Sequence, residues 1–373
     1  MRSWSDEASA HVARLLPDAD LGRVEKIQRG PRSSVHRVRL RAGGSVIVKW
    51  FNGMGEGWVR EAAALSLLHG DTGAPHLLAE SGDPPIVVMS DLGDGPSLSD
   101  ALLGRDAAAA EATLALWAQA LGRLHVATRG LRADFQTALT ARAGELPVYD
   151  AHLGADLDDA IRVLDRECGS LGVSVPAGAF DELRGLGARL GGDTLAAITP
   201  GDTCPDNNLV HDDRLTLLDF ENAQWRHVAW DVAYLTVPWP TCWCAWTLTP
   251  GAAQRAVDAY VALVRDAFPA VRTAAFADDV RAAQLGWVFL SVSWYLGASR
   301  DDKRLRGGRR PAHPGKLEVM LHRLREAAQD GAAVGSPALA ELAQHLGDEL
   351  TRRWGAVPLE LAPAFRRADP VRQ

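Results

Sequence analysis

The sequence predicts an α+β fold with two lobes, a small β-rich lobe followed by a larger, mostly helical one. Short β-branched and aromatic runs separated by glycine turns occur before residue 92, whereas helical spacing of apolar residues dominates after a Gly-rich break at 93–96. The chain has 373 residues, and because domains usually hold about 100–150 residues, more than one unit is expected. We therefore place the two lobes at residues 1–92 and 93–373.

The first lobe is predicted to begin with a short amphipathic helix and to continue mainly as strands. Ala42, Gly43 and Gly44 separate two β-rich runs and predict a tight hairpin turn. The expected elements are a helix at 6–16, strands at 23–28, 35–40 and 45–51, a helix at 57–69, and strands at 76–80 and 86–89. After the first helix, the predicted order is therefore three strands, a helix and two strands.

The second lobe shows helical periodicity over most of its length. The expected helices span 97–103, 106–126, 153–171, 178–190, 251–267, 275–297, 315–328 and 337–354. One short strand region, at 208–219, interrupts this series. The charged, Gly-rich segment 300–314 is expected to form a loop.

Charge and hydropathy exclude several classes of protein. The net charge of −7 argues against a nucleic-acid binder, which normally carries a basic surface. The most apolar stretch, 285–298, is shorter than a membrane span and contains Ser291 and Ser293. The first 16 residues include acidic side chains and lack a continuous apolar core, so no signal peptide is expected there. We expect a cytoplasmic protein with no nucleic-acid or membrane partner.

The cysteines give no clear metal signature. The chain contains Cys168, Cys204, Cys242 and Cys244, and only the last two are close in sequence. A C-x-C pair without a second cluster is a poor indicator of zinc binding. Reduced thiols are therefore expected.

The strongest chemical pattern lies in GDTCPDNN at 201–208 and LLDFE at 217–221. Phosphoryl transfer to an alcohol requires a carboxylate to orient and deprotonate the hydroxyl, oxygen ligands for Mg²⁺, and donors for the phosphates. Asp202 is the candidate base, and Asn207 is far enough along a loop to present its amide oxygen to a metal. Asp219 follows a largely apolar run, which predicts a strand end with the carboxylate in a cleft. Oxygen-only ligands favour Mg²⁺ over zinc.

These segments resemble the catalytic core of the aminoglycoside phosphotransferase and choline kinase-like superfamily, a branch of the protein-kinase-like fold. The family pattern is His-Gly-Asp, four residues, Asn, and later Asp-Phe-Glu. The matching residues here are Gly201, Asp202, Asn207, Asp219, Phe220 and Glu221. The resemblance implies that Asp202 is the catalytic base, that Asn207 and Asp219 hold Mg²⁺, and that Asp231 in AWDVAYL braces the loop.

The first lobe carries residues that fit the ATP side of the same resemblance. Lys49 in the strand VIVKW has the context of a kinase lysine that pairs with the α- and β-phosphates, and Glu61 on the next helix is placed to pair with it. The loop GPRSSV at 30–35 resembles the phosphate-covering loop, with Ser33 and Ser34 near its tip.

Two further segments extend the resemblance over roughly residues 20–240. The run MSDL at 89–92 resembles the hinge, where backbone groups of Ser90 and Leu92 would meet adenine. The run LGRLHVAT at 121–128 resembles the family helix that ends in Leu-His, and its His125 is read as structural.

The chain departs from the family pattern at two places. Pro200 stands where the family usually has a histidine, so a polar anchor of the loop is missing and the backbone φ is restricted instead. The phosphate-covering loop contains only one glycine, Gly30.

The acceptor pocket is less defined in sequence. The run 239–246 holds Trp239, Trp243 and Trp246, which either pack in the core or form an aromatic wall for a sugar ring or a cation. Trp287 and Trp294 lie on one helix face and are expected to pack in the core.

The combined interpretation is a kinase that uses ATP and Mg²⁺ to phosphorylate a small hydroxylated molecule, such as an antibiotic, a sugar or an amino alcohol. The interval between Glu221 and Asp231 leaves no room for a long activation segment, which disfavours a protein kinase. The alternative is a non-catalytic nucleotide-binding pseudokinase, although the presence of Lys49, Asp202, Asn207 and Asp219 together argues against it.

Overall fold

The computed structural model describes residues 6–297 and 313–366. Its first part contains α1 (Asp6–Leu15), β1 (Leu21–Arg29), β2 (Ser33–Leu40), β3 (Ser45–Phe51), α2 (Glu56–Leu65), β4 (Leu77–Gly82) and β5 (Pro85–Ser90). The strands form one antiparallel sheet in the order β1-β2-β3-β5-β4. The predicted order of three strands, a helix and two strands is confirmed.

The sheet has two faces with different roles. On one face, alternate residues of β3 such as Val46 and Val48 pack with Val38, Ile86 and α1 in a small separate core. Because side chains alternate along a strand, Ile47 and Lys49 point to the other face, where both line a cleft. The predicted hairpin turn between β2 and β3 uses two glycines with positive φ. This register sends Lys49 toward the second lobe.

Helix α2 lies under the sheet and is buried along most of its length. Trp58 on this helix donates its indole N–H to the carbonyl of Ile86 in β5, at 3.1 Å. Its apolar residues belong to the large core that continues into the helical lobe. The helix therefore holds its polar residue Glu61 in a fixed position facing β3.

The second lobe is mostly helical, as predicted. Its elements are α3 (Leu98–Leu103), α4 (Ala107–Thr128), α5 (Arg132–Ala143), α6 (Leu153–Leu171), α7 (Ala179–Arg189), β6 (Ala196–Thr199), β7 (Asn208–His211), β8 (Arg214–Leu217), β9 (Gln224–His227), α8 (Ala229–Val232), α9 (Pro250–Val264), α10 (Ala274–Gly297), α11 (Lys316–Asp330) and α12 (Pro337–Trp354). Short 3₁₀ turns occur at Ala233–Leu235, Pro269–Arg272, Gly331–Val334 and Pro363–Phe365.

Several short elements differ from the sequence expectation. The region 208–219 contains a hairpin of β7 and β8, with Asp212 at the turn in a left-handed conformation. Helix α5 and the paired strands β6 and β9 were not predicted. The four residues of β6 are all buried, so they show no alternation, and α5 buries only a few apolar side chains. The predicted loop at 300–314 lies almost entirely outside the described residues.

The prediction for the two tryptophans of α10 is half right. Trp287 is 3% exposed and donates to the Trp230 carbonyl at 2.8 Å. Trp294 touches Trp287 edge-on but is 45% exposed, so its assignment to the core is wrong. Ser293 and Leu296 in the same turn are buried, so the end of α10 is covered on a different face from the one that carries Trp294. Among the described helices, none is both long and apolar enough to cross a membrane.

Candidate active site

A cleft of about 460 Å³ lies between the sheet and the helical lobe. The sheet contributes residues of β1, β2 and β3, and the second lobe contributes the segment around β7 and β8. The cleft brings together residues that are far apart in sequence, including Lys49, Glu61, Asn207 and Asp219.

Lys49 is the centre of a buried ion cluster in this cleft. Its Nζ lies 2.5 Å from Glu61, 2.7 Å from Asp219 and 3.0 Å from Glu221. Burial alone would lower the pKa of Lys49, but the three carboxylates outweigh it and raise the pKa, so the ammonium stays charged. The predicted Lys49–Glu61 pair is present, and it joins β3 to α2.

The charges of this cluster do not balance. Burial raises the pKa of Glu61 to about 7, while the Lys49 ammonium acts in the opposite direction. Glu221 receives a second cation, because Arg32 from the turn between β1 and β2 lies 2.6 Å away. Arg32 is largely exposed, so this contact is weak. Three carboxylates around one buried ammonium and one exposed guanidinium leave the cluster with surplus negative charge.

The predicted phosphate-covering loop is shorter than expected. Strand β2 already begins at Ser33, which pairs with Phe51, and Ser34 pairs with Trp50. Gly30, Pro31 and Arg32 therefore form the tip, whereas the two serines belong to the strand. Ser33 lines the cleft and Ser34 does not, because neighbouring side chains on a strand point to opposite faces of the sheet.

The predicted hinge connects β5 to the helical lobe, and both Ser90 and Leu92 line the cleft. The N–H of Ser90 donates to the carbonyl of His76 at 2.9 Å, so this N–H is already used within the sheet. The segment is held by Arg37 of β2, whose guanidinium contacts Asp91 at 2.6 Å and Asp94 at 2.7 Å.

The Arg37–Asp91 pair is a feature that the sequence reasoning missed. Arg37 and Asp91 are 7% and 4% exposed, and Asp91 also accepts from Ser45 at 2.5 Å. Burial would raise the pKa of Asp91, but hydrogen bonds from Arg37 and Ser45 lower it below its usual range. The signal in the sequence is weak, because a charged residue on a strand of an antiparallel sheet normally indicates a solvated face.

Asp202, the predicted base, lies on the loop between β6 and β7. Gly201 has φ +79, and a Cβ there would lie 1.9 Å from the carbonyl oxygen of Asn222, so only glycine fits. The carboxylate of Asp202 accepts from the Thr241 hydroxyl at 2.6 Å. Asn207 donates its amide N–H to the Asp202 carbonyl at 3.1 Å. These contacts fix both predicted residues relative to each other.

The environment of Asp202 favours proton uptake more than that of an ordinary aspartate. Burial raises the pKa of Asp202, and the nearby carboxylates of Asp219 and Asp206 act in the same direction. Hydrogen bonds from Thr241 and Cys204 oppose the shift. A carboxylate tuned upward is better matched to general base work near neutral pH.

Asn207 and Asp219, the predicted metal ligands, both line the cleft. The N–H of Leu218 donates to the Asn207 carbonyl at 2.9 Å, which holds the loop next to the end of β8. Asp219 adopts φ +65, an uncommon conformation for a residue other than glycine. The side-chain NH₂ of Asn207 faces Asp202, so its amide oxygen points the other way.

Asp231 stabilises the scaffold beneath the loop. It is fully buried and contacts Arg226 of β9 at 2.6 Å and His125 of α4 at 3.0 Å. His125 also contacts the Tyr260 hydroxyl at 2.8 Å. Because β9 pairs with β6, which leads into the Asp202 loop, the position of Asp231 agrees with a bracing role.

A second cavity of about 250 Å³ lies beyond Thr241. Of the three tryptophans at 239–246, Trp239 and Trp246 are buried and only Trp243 lines this cavity, together with Tyr295 and His313. Trp243 is 37% exposed and stacks on His313 at 4.3 Å. Two of the three tryptophans therefore pack in the core, which was one of the two predicted possibilities.

Comparison with known proteins agrees with this geometry. Residues 59–272 match the model of the phosphotransferase enzyme family, APH. Among curated proteins, none matches the chain.

Solved structures with the same fold include several small-molecule kinases. A choline/ethanolamine kinase family protein from Mesorhizobium loti has a TM-score of 0.53 at 18% identity, over 90% of this chain and 99% of that chain. The choline kinase from Cryptosporidium parvum also has a TM-score of 0.53, at 10% identity, over 91% and 100% of the two chains. A candidate fructosamine-3-kinase from Thermobifida fusca has a TM-score of 0.50 at 16% identity, over 80% and 96%.

At identities this low, the structural matches show a shared kinase-like fold of two lobes. The family match adds the class of enzyme. Because the matched segment covers more than half of the chain, the protein belongs to the phosphotransferase enzyme family and is an enzyme of the small-molecule kinase class.

Proposed function

We propose that the protein transfers the γ-phosphoryl group of MgATP to a hydroxyl of a small molecule, with Asp202 as the catalytic base. The observation that carries this proposal is the contact of Lys49 with Asp219 at 2.7 Å. This contact joins the sheet of the first lobe to the helical second lobe at one point of the cleft. A nucleotide held there lies between the two lobes, near the loop that carries Asp202.

We assign the donor side of the cleft to the hinge and the ion cluster of Lys49, Glu61 and Asp219. Adenine would lie against the hinge at Leu92, and Lys49 would exchange part of its carboxylate contacts for the α- and β-phosphates. Asn207 and Asp219 would hold Mg²⁺, which neutralises phosphate charge during transfer. The surplus negative charge around Lys49 and the orientation of the Asn207 amide oxygen fit such a cation.

We assign the acceptor side to Asp202, Thr241 and the cavity beyond Thr241. Asp202 takes the proton of the acceptor hydroxyl as that oxygen bonds to the γ-phosphorus and the bond to ADP breaks. The Thr241 hydroxyl orients the carboxylate through its 2.6 Å hydrogen bond. Positioning of the two reactants supplies most of the rate enhancement in such transfers.

The acceptor is proposed as a hydroxylated metabolite or antibiotic. The names of structurally similar proteins include choline, ethanolamine and fructosamine kinases, all of which denote amine-bearing acceptors with hydroxyl groups. The cavity at Trp243 and Tyr295 presents aromatic faces, which suit a sugar ring or an organic cation. Amino alcohols, amino sugars and aminoglycosides are therefore the first compounds to test.

The experiment is a screen of these compounds for phosphorylation with MgATP, with MgGTP in parallel and product detection by mass spectrometry. The wild-type protein is compared with Asp202→Asn and with Asp213→Asn, a matched change at the exposed turn between β7 and β8. We expect product with wild type and Asp213→Asn but not with Asp202→Asn. Nucleotide binding without turnover of any acceptor would instead indicate a pseudokinase.

A further inference from the structure

Three of the four cysteines meet beside the acceptor side of the cleft. Cys204 lies on the Asp202 loop, and Cys242 and Cys244 follow Thr241 almost forty residues later. All three are buried, whereas the carboxylate of Asp206 on the same loop is exposed. The ligand atoms of Cys204, Asp206 and Cys242 all lie within 4.8 Å of one another. The structure thus supplies the second cluster that the C-x-C pair lacks in sequence.

The spacing of these atoms is close to that of a tetrahedral metal site. Zinc binds thiolate sulfur at about 2.3 Å and carboxylate oxygen at about 2.0 Å, which places sulfur and oxygen ligands about 3.5 Å apart and two sulfurs about 3.8 Å apart. The observed distance from Cys242 Sγ to Asp206 Oδ1 is 3.8 Å. Small side-chain adjustments would bring all three donors onto one ion.

The neighbouring groups hold these donors in orientation. The indole N–H of Trp243 donates to Asp206 Oδ2 at 2.6 Å, which leaves Oδ1 directed toward Cys242. The backbone N–H of Cys244 donates to Cys242 Sγ at 3.4 Å, and the Cys244 thiol lies 3.0 Å from the same sulfur. Hydrogen bonds of this kind from surrounding groups orient metal ligands and support the charged form of a thiolate.

We propose that Cys204, Cys242 and Asp206 form a binding site for a thiophilic divalent cation such as Zn²⁺. Two sulfurs and one carboxylate select a zinc-like ion over Mg²⁺, which prefers oxygen ligands alone. Binding releases the two thiol protons. Three protein donors leave a fourth position for water, or for Cys244 after a side-chain rotation. The donors are distinct from Asn207 and Asp219, so the two cations would occupy separate positions.

The proposed site adjoins the residues proposed for catalysis, since Asp206 lines the cleft and Cys242 lines the cavity beyond Thr241. Thr241 Oγ1 lies 3.7 Å from Cys204 Sγ and 2.6 Å from Asp202. An ion bound to Cys204 would therefore contact the group that orients the proposed base, and we expect metal loading to change the rate of phosphotransfer. Binding itself does not depend on the proposed function.

The experiment measures metal binding directly on the full-length chain after reduction and removal of metals by a chelator. Co²⁺ is the probe, because thiolate-bound cobalt gives a charge-transfer absorption band, and Zn²⁺ is then added in competition. We expect one equivalent of Co²⁺ per chain, displacement by Zn²⁺, and a rise of Tm with Zn²⁺. Native mass spectrometry gives the stoichiometry independently.

The variants separate this site from adventitious binding. Cys204→Ser and Cys242→Ser should abolish the band, and Asp206→Asn should weaken binding at least about tenfold. Cys168→Ser is the matched control, since Cys168 is a buried thiol of α6 outside the cluster. Asp206 is exposed, so Asp206→Asn tests the site even if a cysteine variant does not fold.

Three results would overturn the proposal. One is the absence of a charge-transfer band in the reduced wild-type protein. Another is equal binding by wild type and Asp206→Asn together with a band that survives in Cys242→Ser. The third is a Cys242–Cys244 disulfide in the isolated protein that, once reduced, takes up no metal.

Discussion

On the proposed donor side of the cleft, side chains of opposite charge meet in buried pairs, whereas on the proposed acceptor side neutral hydroxyl and thiol groups contact Asp202. Lys49 with Glu61 and Arg37 with Asp91 represent the first arrangement. The hydroxyl of Thr241 and the thiol of Cys204 represent the second. The proposed donor, a nucleotide with its cation, would present phosphates and a metal, so a site for it requires fixed charges. The proposed acceptor side would require one carboxylate and a shaped wall, which many residue types can form.

Replacement of Lys49 should cause the largest loss of stability and of phosphotransfer among the variants of the donor side. Lys49→Met leaves three carboxylates without their shared ammonium, and loss of one partner of a buried ion pair costs about 3–5 kcal/mol of unfolding free energy. Removal of one phosphate donor should lower phosphotransfer by about 10²–10³. Chemical denaturation and turnover measure the two effects. Lys26→Met, at an exposed position of β1, is the control and should leave both unchanged.

Loss of the Arg37–Asp91 contact should destabilise the hinge and thereby weaken ATP binding. Arg37→Gln leaves Asp91 buried without its cation, and we expect a loss of about 3 kcal/mol in unfolding free energy. Because Leu92 follows Asp91, the Kd for ATP should rise as well. Arg39→Gln changes an exposed arginine of the same strand and should have little effect. Similar stabilities for the two variants would show that the hinge does not depend on this pair.

Mild acid should weaken the scaffold of the acceptor side. Burial is the main cause that lowers the pKa of His227 in β9 to about 4. The charge of Arg189 also lowers this pKa, whereas the nearby Asp279 carboxylate raises it. Its Nδ1 accepts the N–H of Ala229 at 3.2 Å, which requires the unprotonated nitrogen. The unfolded chain has its histidine pKa near 6.5, so below this pH it binds a proton that the folded chain does not.

The unfolding free energy should therefore fall as the pH drops from 6.5 to about 4, by about 1–3 kcal/mol for this histidine. Denaturation curves across this range measure the loss. In His227→Gln, which cannot bind the proton, the dependence on pH should be smaller. An identical slope in the variant would show that other groups cause the loss.

Loss of the hydrogen bond that orients Asp202 should slow phosphotransfer. Thr241→Val removes a donor 2.6 Å from the carboxylate, and a hydrogen bond to a charged group is worth about 1.5–3 kcal/mol. We expect kcat to fall about tenfold or more while the Kd for ATP stays the same. Thr241→Ser retains the hydroxyl and should retain most of the rate. Equal loss in both variants would indicate that shape, not the hydrogen bond, matters here.

The residues of the donor side could be predicted from the sequence more completely than those of the acceptor side. Asp202, Asn207 and Asp219 are close in sequence, and Lys49 and Glu61 lie on adjacent elements. Their spacing and the family resemblance together predicted the two groups. Glu221 was noticed only as part of a triplet, and its contact with Lys49 at 3.0 Å depends on how the two lobes meet.

The acceptor side depends on contacts across longer distances in the chain. Thr241 reaches Asp202 from thirty-nine residues away, and Cys242 reaches Cys204 because the same segment folds over the loop. Thr241 has no local pattern that distinguishes it from an ordinary turn residue, and the C-x-C pair of Cys242 does not by itself indicate a contact with Cys204. Helix α5 and strands β6 and β9 were missed for a related reason, because they are stabilised by tertiary packing and not by periodicity.

The most direct test of the account is the rate of γ-phosphoryl transfer to an acceptor by Asp202→Asn, measured together with its Kd for MgATP. The Kd should stay within about twofold of wild type, because the residues proposed to bind the nucleotide are unchanged. Transfer should fall by about 10²–10⁴, the range expected for loss of a general base. Transfer at the wild-type rate by Asp202→Asn would contradict the assignment of the base and, with it, the division of the cleft into two sides.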